Sequence, residues 1–361
     1  MKPNKTLLSV IWFCSSIIIF NGCVATNQAP KQAPTGKVGV VVEKEVANEK
    51  TGAIQIQAQR LDEIAERSVS DKGAEALLTP QRYASMGNSF FSSYDIGSKN
   101  EVIASIYNQS GKNGSDLWIF KNGKIRLTKT NYNNNYPSFS SNGKYVYFVA
   151  DRGRQNTSRY DQNSYIWRMP SNGGGGLTRI GTPSYRFLNP IESPDGTKIL
   201  FSSREFYDNS PFIWYEKRNG SLPTQLKQGV NASWLDNNTI IFSAKDENTG
   251  FYSIWTADID GSNLTQIIYD NEMDCLFPEA DPFGQYIAYV KQRPNNIKSV
   301  ERQSRDIYIY HLKENLSQQI TTNISRDDMP HWSPEGDYLY FRSSRGLAWS
   351  IWRLSTNFLK N

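Results

Sequence analysis

The sequence is poor in the residues that carry most enzyme chemistry. It contains two histidines and three cysteines in 361 residues, and it has no Gly-x-Ser-x-Gly or Cys-x-x-Cys motif. Two histidines cannot form a three-histidine metal site, and without Gly-x-Ser-x-Gly there is no α/β-hydrolase nucleophile elbow. The glycine run at residues 173–176 follows a polar turn and predicts a flexible loop, not a phosphate cradle. We therefore expect a binding module without a cofactor or a metal.

Strong charge and paired cysteines are missing too. The net charge is +5, from 40 basic and 35 acidic residues that are dispersed along the chain, which predicts no nucleic-acid footprint. Cys14 and Cys23 lie near the N-terminus, so Cys275 alone remains beyond residue 23 and no intramolecular disulfide can form there. We expect Cys275 to be a buried filler and not a nucleophile.

The one long apolar run, residues 7–20, is too short to span a bilayer comfortably and follows Lys2 and Lys5. With the Gly-Cys pair that ends at Cys23, it resembles a bacterial lipoprotein signal. The resemblance implies a signal peptide at residues 1–22 and lipidation of Cys23, which would anchor the protein to the membrane. An ordinary secretory signal or an uncleaved anchor are the alternatives.

Residues 23–72 are predicted to form a tether between the membrane anchor and the rest of the chain. A valine-rich segment at 37–46 predicts a short strand, and the spacing of apolar residues in 54–69 predicts a helix. A linker with only nascent helix is the alternative. Val24, where an aspartate would signal retention, implies the outer membrane of a Gram-negative envelope, facing the periplasm.

A repeated hairpin dominates the rest of the chain. A Pro-x-aromatic segment leads into a Ser-Pro-Glu-Gly turn, in which proline fixes φ and glycine takes a positive φ, and an alternating aromatic and aliphatic strand follows. Versions of this turn occur at residues 140–143, 193–196, 235–238, 281–284 and 333–336, and a degenerate one at 95–97.

Each hairpin is followed by a third strand with an aliphatic-aromatic pair and by a short fourth strand. The pairs begin at residues 117, 166, 213, 254, 307 and 351, which are 41 to 53 residues apart. The fourth strands are predicted around residues 127–128, 177–178, 225–226, 264–265 and 320–321. Four strands per unit at this period are typical of propeller blades. We predict an all-β, six-bladed β-propeller of four-stranded antiparallel blades at residues 73–361.

The sixth unit has no fourth strand after it. A matching Leu-Leu-Thr pattern precedes the first unit, so we predict that residues 75–79 complete the sixth blade and close the ring.

The motif Pro-His-Trp-Ser-Pro-Glu-Gly at 330–336, with Ile-Trp at 351–352 and Ile-Thr at 320–321, resembles the TolB-type β-propeller repeat. The resemblance covers residues 75–361 and implies the fold, since such propellers serve as binding platforms, sensors and enzyme domains. TolB proteins carry an α/β domain ahead of the propeller. We therefore expect a TolB-like propeller lipoprotein and not TolB itself.

Candidate site residues follow from blade positions. Glu192, Glu279 and His331 lie on innermost strands and are predicted to face the central channel, as a ligand spot or as solvated lining. Asp274, Asp327 and Asp328 lie in connections that share one face, where they predict either an acidic patch for a basic partner or solvated loops. We expect the protein to be a monomer.

The leading hypothesis is a membrane-tethered envelope lipoprotein whose propeller is a platform for a protein or peptide. The alternative is binding of a small molecule or glycan at the channel mouth, with or without lyase or hydrolase activity.

Overall fold

The structure is a computed structural model that describes residues 79–85, 89–107, 114–152, 164–180, 186–204, 211–219, 221–293, 305–323, 325–345 and 348–360. The signal peptide, Cys23 and the tether predicted at 23–72 lie outside these residues. Among the residues that are described, no helix has the length and apolar content needed to cross a membrane.

These residues form six antiparallel sheets of four strands, which confirms the predicted propeller. Blade 1 comprises β2 (Phe91–Ile96), β3 (Val102–Tyr107), β4 (Ser115–Phe120) and β5 (Lys124–Arg126). Blade 2 comprises β6 (Asn134–Phe139), β7 (Tyr145–Ala150), β8 (Tyr165–Pro170) and β9 (Thr178–Ile180). Blade 3 comprises β10 (Arg186–Glu192), β11 (Lys198–Arg204), β12 (Phe212–Lys217) and β13 (Thr224–Gln228).

The other three blades follow the same order. Blade 4 comprises β14 (Val230–Trp234), β15 (Thr239–Lys245), β16 (Tyr252–Asp258) and β17 (Thr265–Ile268). Blade 5 comprises β18 (Asp274–Ala280), β19 (Tyr286–Gln292), β20 (Arg305–His311) and β21 (Leu316–Gln319). Blade 6 comprises β22 (Asp327–Trp332), β23 (Tyr338–Ser343), β24 (Ser350–Ser355) and, from ahead of blade 1, β1 (Gln81–Ser85). A 3-10 turn, Asn357–Lys360, follows β24.

The hairpin turns form as their sequence predicts. In blade 6 the Gly336 amide donates to the Ser333 carbonyl at 2.9 Å, and the Tyr338 amide donates to Ser333 Oγ at 3.0 Å. Gly336 has a φ of 69°, in the left-handed region that glycine tolerates. Local turn chemistry therefore fixes the register of each hairpin.

The core lies between neighbouring blades. Second-strand side chains such as Phe148, Phe242 and Phe341 are fully buried, and the aliphatic member of each third-strand pair packs beside them. Cys275 belongs to the core between blades 4 and 5, as expected. Burial raises the pKa of its thiol to about 12, so it is not a nucleophile at neutral pH.

Two fourth strands differ from the prediction. The pairs at 127–128 and 320–321 lie just after β5 and β21, not within them. The reason is that a threonine side chain takes over half of the ladder there: Thr128 Oγ1 accepts the Leu117 amide and Thr321 Oγ1 accepts the Ile307 amide, both at 2.9 Å. The other half remains, since the Leu127 and Ile320 amides still donate to the Leu117 and Ile307 carbonyls at 2.8 Å.

The outer strand of blade 6 is β1, which pairs antiparallel with β24 from Gln81↔Arg353 to Ser85↔Ser350. Of residues 75–79, predicted for this strand, only Thr79 is described, and it precedes β1.

Candidate functional site

The innermost strands of all six blades surround a central cavity of about 230 Å³. Each of these strands carries a β-bulge, which shifts its register against the second strand of its blade. Bulges re-aim side chains, so the residues around them line the cavity.

Five of the bulges contain a non-glycine residue in the left-handed region. They are Tyr136 (φ 52°), Asn189 (φ 47°), Asn231 (φ 51°), Phe277 (φ 54°) and Met329 (φ 53°). Four of these residues precede a proline, which normally disfavours helical backbone angles. Such conformations cost about 1–3 kcal/mol each and concentrate at ligand sites. Strain repeated at one position therefore marks this ring of bulges as a candidate site.

In blades 2 to 6, the position two residues after the left-handed residue lines the cavity, and it is occupied in chain order by Ser138, Ile191, Ser233, Glu279 and His331. Asp95 holds the equivalent position in blade 1, two residues before the turn. Among the residues that the structure describes, acidic and basic side chains occupy this position only in blades 5, 6 and 1, which are neighbours in the ring. The equivalent positions of blades 2 to 4 carry neutral side chains.

The three ionisable side chains form one cluster centred on His331. Its Nδ1 lies 2.6 Å from Glu279 Oε2 and 3.8 Å from Asp95 Oδ1, and all three side chains are 20–23% exposed. The ring of Tyr94 packs edge-on against the imidazole at 4.7 Å between centroids. The Phe139 amide donates to Asp95 Oδ2 at 2.7 Å, and the Trp332 amide donates to Glu279 Oε1 at 3.1 Å. Both carboxylates are therefore held in place by the next blade.

Burial and charge set the protonation of this cluster. Burial alone would lower the pKa of His331, but the carboxylates of Glu279 and Asp95 outweigh it and raise the pKa above the ordinary 6.5. Burial raises the pKa of Asp95 to about 6. These shifts favour a protonated histidine beside the carboxyl groups of Glu279 and Asp95. Within the part of the chain that is described, no group of three such side chains is arranged to hold a metal ion.

Of the predicted channel residues, the structure brings together Glu279 and His331 but not Glu192. The Glu192 side chain is buried between blades 2 and 3, where Oε1 accepts from Tyr147 Oη at 2.6 Å and pairs with Arg218. Its Oε2 accepts from the Ser141 amide at 2.8 Å. The prediction that Glu192 faces the channel was wrong, because Glu192 lies one position further along its strand than Glu279 and points to the other face.

The predicted acidic patch is also corrected. Asp327 and Asp328 are fully buried and Asp274 is 8% exposed, so none of them lies on a solvated loop. Asp327 pairs with Arg345, Asp328 binds two arginines, and Asp274 accepts the Tyr252 amide at 2.9 Å. These aspartates stand at the beginning of inner strands, and their carboxylates are engaged in structural contacts within the propeller.

Asp95 is a site residue that the repeat pattern did not predict. It belongs to the degenerate first repeat, where the pattern places it in the turn. Its position two residues before Gly97, the counterpart of Ser333, is the signal that could have identified it.

Replacing Glu279 with glutamine is expected to lower the pKa of His331, since the strongest force holding its proton is removed. An NMR titration of the imidazole C–H protons measures this directly, and His311, on the outer part of blade 5, serves as the internal reference. An unchanged His331 titration in the Glu279→Gln variant, with an intact His311 signal, would contradict the geometry described above.

Comparison with known proteins supports the fold. No protein-family model matches the sequence. The Tol-Pal system protein TolB of Alcanivorax borkumensis is 34% identical over 95 residues, which are 26% of this chain and 20% of that protein. The chain thus matches about a fifth of the length of this curated relative.

Solved structures extend the match over the propeller. TolB from Acinetobacter baumannii superposes with a TM-score of 0.55 at 16% identity, covering 71% of this chain and 63% of that chain. An oligogalacturonate lyase from Vibrio parahaemolyticus gives a TM-score of 0.52 at 11% identity, covering 77% of this chain and 79% of that chain. Such identities show the fold alone. Six four-stranded blades and these similarities show that the chain has a β-propeller fold similar to that of TolB.

Proposed function

We propose that the protein is a lipid-anchored envelope protein whose propeller binds a segment of another protein or a peptide in its central cavity. The observation that carries this proposal is the one-sided cluster of Asp95, Glu279 and His331 in a cavity whose other lining is neutral and largely apolar. Ligand sites typically combine an apolar wall with a few convergent polar groups.

The lining indicates the chemistry of the segment. Tyr136, Phe277 and Met329 offer apolar surface at the bulges, and on one side the cluster offers two carboxyl groups beside one imidazole. A peptide with a lysine, arginine or free amino terminus beside an apolar residue satisfies both features. Because the bulges are already strained into position, little reorganisation is needed on binding.

Photo-crosslinking tests the cavity as a binding site. With p-benzoylphenylalanine in place of Phe277, we expect a discrete protein adduct in cells, because this half-buried ring lines the cavity. The same probe in place of Tyr269, which is 65% exposed on a loop between blades 4 and 5, is the control. Glu279→Gln is expected to reduce the Phe277 adduct about ten-fold or more. Adducts of equal yield from both probe positions, or no protein adduct at Phe277, would overturn the proposal.

The anchor has its own test. If Cys23 is lipidated, Cys23→Ser releases the protein from the membrane fraction, whereas Cys14→Ser leaves it membrane-bound. The measurement is fractionation of envelopes followed by detection of the protein. A Cys23→Ser protein that stays with the membrane to the same extent as the unmodified sequence would exclude lipidation at this residue.

We also propose that β1 keeps the ring closed. Its pairing with β24 joins the N-terminal part of the propeller to its last blade. Tyr83 of β1 supports this role, since its ring packs edge-on against Tyr340 at 5.1 Å and its hydroxyl donates to the Asn100 carbonyl of blade 1 at 2.6 Å.

A small molecule or glycan is the second candidate ligand, and one observation favours it. Asp95, with a pKa of about 6, sits in the same cavity as Glu279, so one carboxyl could donate a proton where the other accepts one. Recovery of a saccharide and no protein from the purified, crosslinked complex would favour this candidate.

A further inference from the structure

The strand order gives the propeller two different ends. In every blade, the turns between strands one and two and between strands three and four lie at the same end of the sheet, because the strands are antiparallel. We call this end the hairpin face. In blades 1–3 it consists of residues 97–101, 121–123, 140–144, 171–177, 193–197, 218–219 and 221–223.

Charge is segregated across the hairpin face. In blades 1–3, its turns and the residues directly flanking them carry seven basic and two acidic side chains that are not buried. The basic ones are Lys99, Lys121, Lys124, Lys144, Lys198, Lys217 and Arg218. The corresponding described residues of blades 4–6 carry two basic and six acidic side chains that are not buried. A chain with a net charge of +5 therefore presents a basic half-face.

The basic residues are concentrated where blades 1 and 2 meet. Lys99, Lys121 and Lys144 line one open depression of about 570 Å³, together with Glu101. Lys124 is stacked on the ring of Trp118 at 4.6 Å. Three or four cations held this close together repel one another, so an anionic surface that covers them gains more than it does at isolated lysines.

Exposed aliphatic side chains accompany these cations. Ile125 is 56% exposed, Leu177 is 40% exposed and Leu222 is 78% exposed. Each lies at or just before the start of the outermost strand of blade 1, 2 or 3, at the rim of the basic half-face. Basic residues mixed with protruding aliphatic ones are the composition of surfaces that lie in the interface of anionic membranes.

The path of the chain leads from the same face. Gln81 pairs with Arg353 near the end of β24, and Ser355 at that end pairs with Tyr338, next to the hairpin turn of blade 6. The segment that connects Cys23 to the propeller therefore joins it at the hairpin face. With 57 residues from Cys23 to Pro80 and at most about 3.5 Å per residue, the connection is long enough for that face to reach the membrane.

We propose that the hairpin face of blades 1–3 docks on anionic phospholipid, with the lysines on headgroup phosphates and Ile125, Leu177 and Leu222 at the acyl boundary. This rests on the lipid anchor of the proposed function, which brings the face to the membrane at high effective concentration. Docking turns the opposite end of the propeller away from the membrane, toward soluble or distant partners.

Vesicle sedimentation tests the surface without the anchor. Residues 23–361 carrying Cys23→Ser are mixed with vesicles of phosphatidylcholine, with or without phosphatidylglycerol, and we expect binding only when the anionic lipid is present. Each lysine near such a surface contributes about five-fold to the partition coefficient, so Lys99→Gln, Lys121→Gln and Lys144→Gln together are expected to lower it about 100-fold.

A matched triple variant controls for net charge. Lys129→Gln, Lys227→Gln and Lys245→Gln remove the same charge on or near the opposite end of the propeller and are expected to leave binding unchanged within two-fold. Leu222→Ser is expected to lower partitioning about ten-fold without altering the charge. Circular dichroism melts confirm that each variant is folded.

Several results would overturn the docking proposal. These are equal binding to both vesicle types, no binding to either, equal losses in the two triple variants, or a Lys99/Lys121/Lys144 variant that loses self-association in light scattering but keeps its vesicle binding. The last result would assign the face to a second copy of the chain. Because the vesicle protein carries no lipid, these outcomes are independent of whether Cys23 is modified in cells.

Discussion

Replacing Asp328 with alanine is expected to lower the free energy of unfolding by about 3–5 kcal/mol, because it leaves buried arginine side chains without their counter-charge. Asp328 is fully buried, and its carboxylate accepts from Arg342 Nε at 2.6 Å, Arg342 Nη2 at 2.8 Å and Arg305 Nη1 at 2.7 Å. Arg342 also donates to the Ser92 carbonyl at 3.2 Å. The cluster therefore joins blades 5, 6 and 1 at the seam of the ring.

Thermal unfolding measures this loss, which corresponds to a drop in Tm of about 10 °C for a domain of this size. Glu272→Ala, on an exposed loop, is the control and is expected to change stability by less than about 0.5 kcal/mol. The double variant Asp328→Leu with Arg342→Met is expected to recover part of the lost stability. The unpaired charge of Arg342 is then removed, and the Arg305 side chain is 22% exposed, so water can solvate its charge in part. A stability change under about 1 kcal/mol in Asp328→Ala would show that the seam does not depend on this cluster.

Glu192→Ala is expected to cost about 2–4 kcal/mol of stability and to leave cavity binding intact. The variant leaves the buried Tyr147 hydroxyl and the Ser141 amide without their acceptor. A buried donor without an acceptor costs its full desolvation free energy, which exceeds the net contribution of the hydrogen bond itself. Arg218 is 30% exposed and can turn to solvent, so its lost pairing adds little. Burial and the bond to Glu192 raise the pKa of Tyr147 well above 10, so the phenol stays protonated and needs an acceptor at every physiological pH.

Two measurements separate a structural role of Glu192 from a role in binding. Chemical denaturation reports stability, and the photo-adduct at Phe277 reports the cavity. Glu192→Ala should lower the denaturation midpoint with an unchanged adduct, whereas Glu279→Gln should lose the adduct with a smaller change in midpoint. The reverse pattern, a stable Glu192→Ala protein that has lost the adduct, would return Glu192 to the ligand site.

The blades were predictable from the amino-acid sequence. Turn chemistry at residues such as Ser333 and Gly336, and the alternation of the strands beside them, act within a dozen residues and recur six times. Four strands per repeat and the spacing of the repeats were enough to predict the ring, because an isolated blade cannot bury both of its faces. Even the unusual source of the sixth outer strand, ahead of the first blade, was visible as a missing element.

Which polar side chains meet in the cavity depends on the arrangement of the blades around the ring. Asp95, Glu279 and His331 come from three blades and touch only because the ring places blades 5, 6 and 1 side by side. Glu192 and Glu279 look alike in the repeat, yet they differ by one position along a strand. Since side chains alternate between faces at every residue, that single step sends Glu279 into the cavity and Glu192 into the wall between two blades.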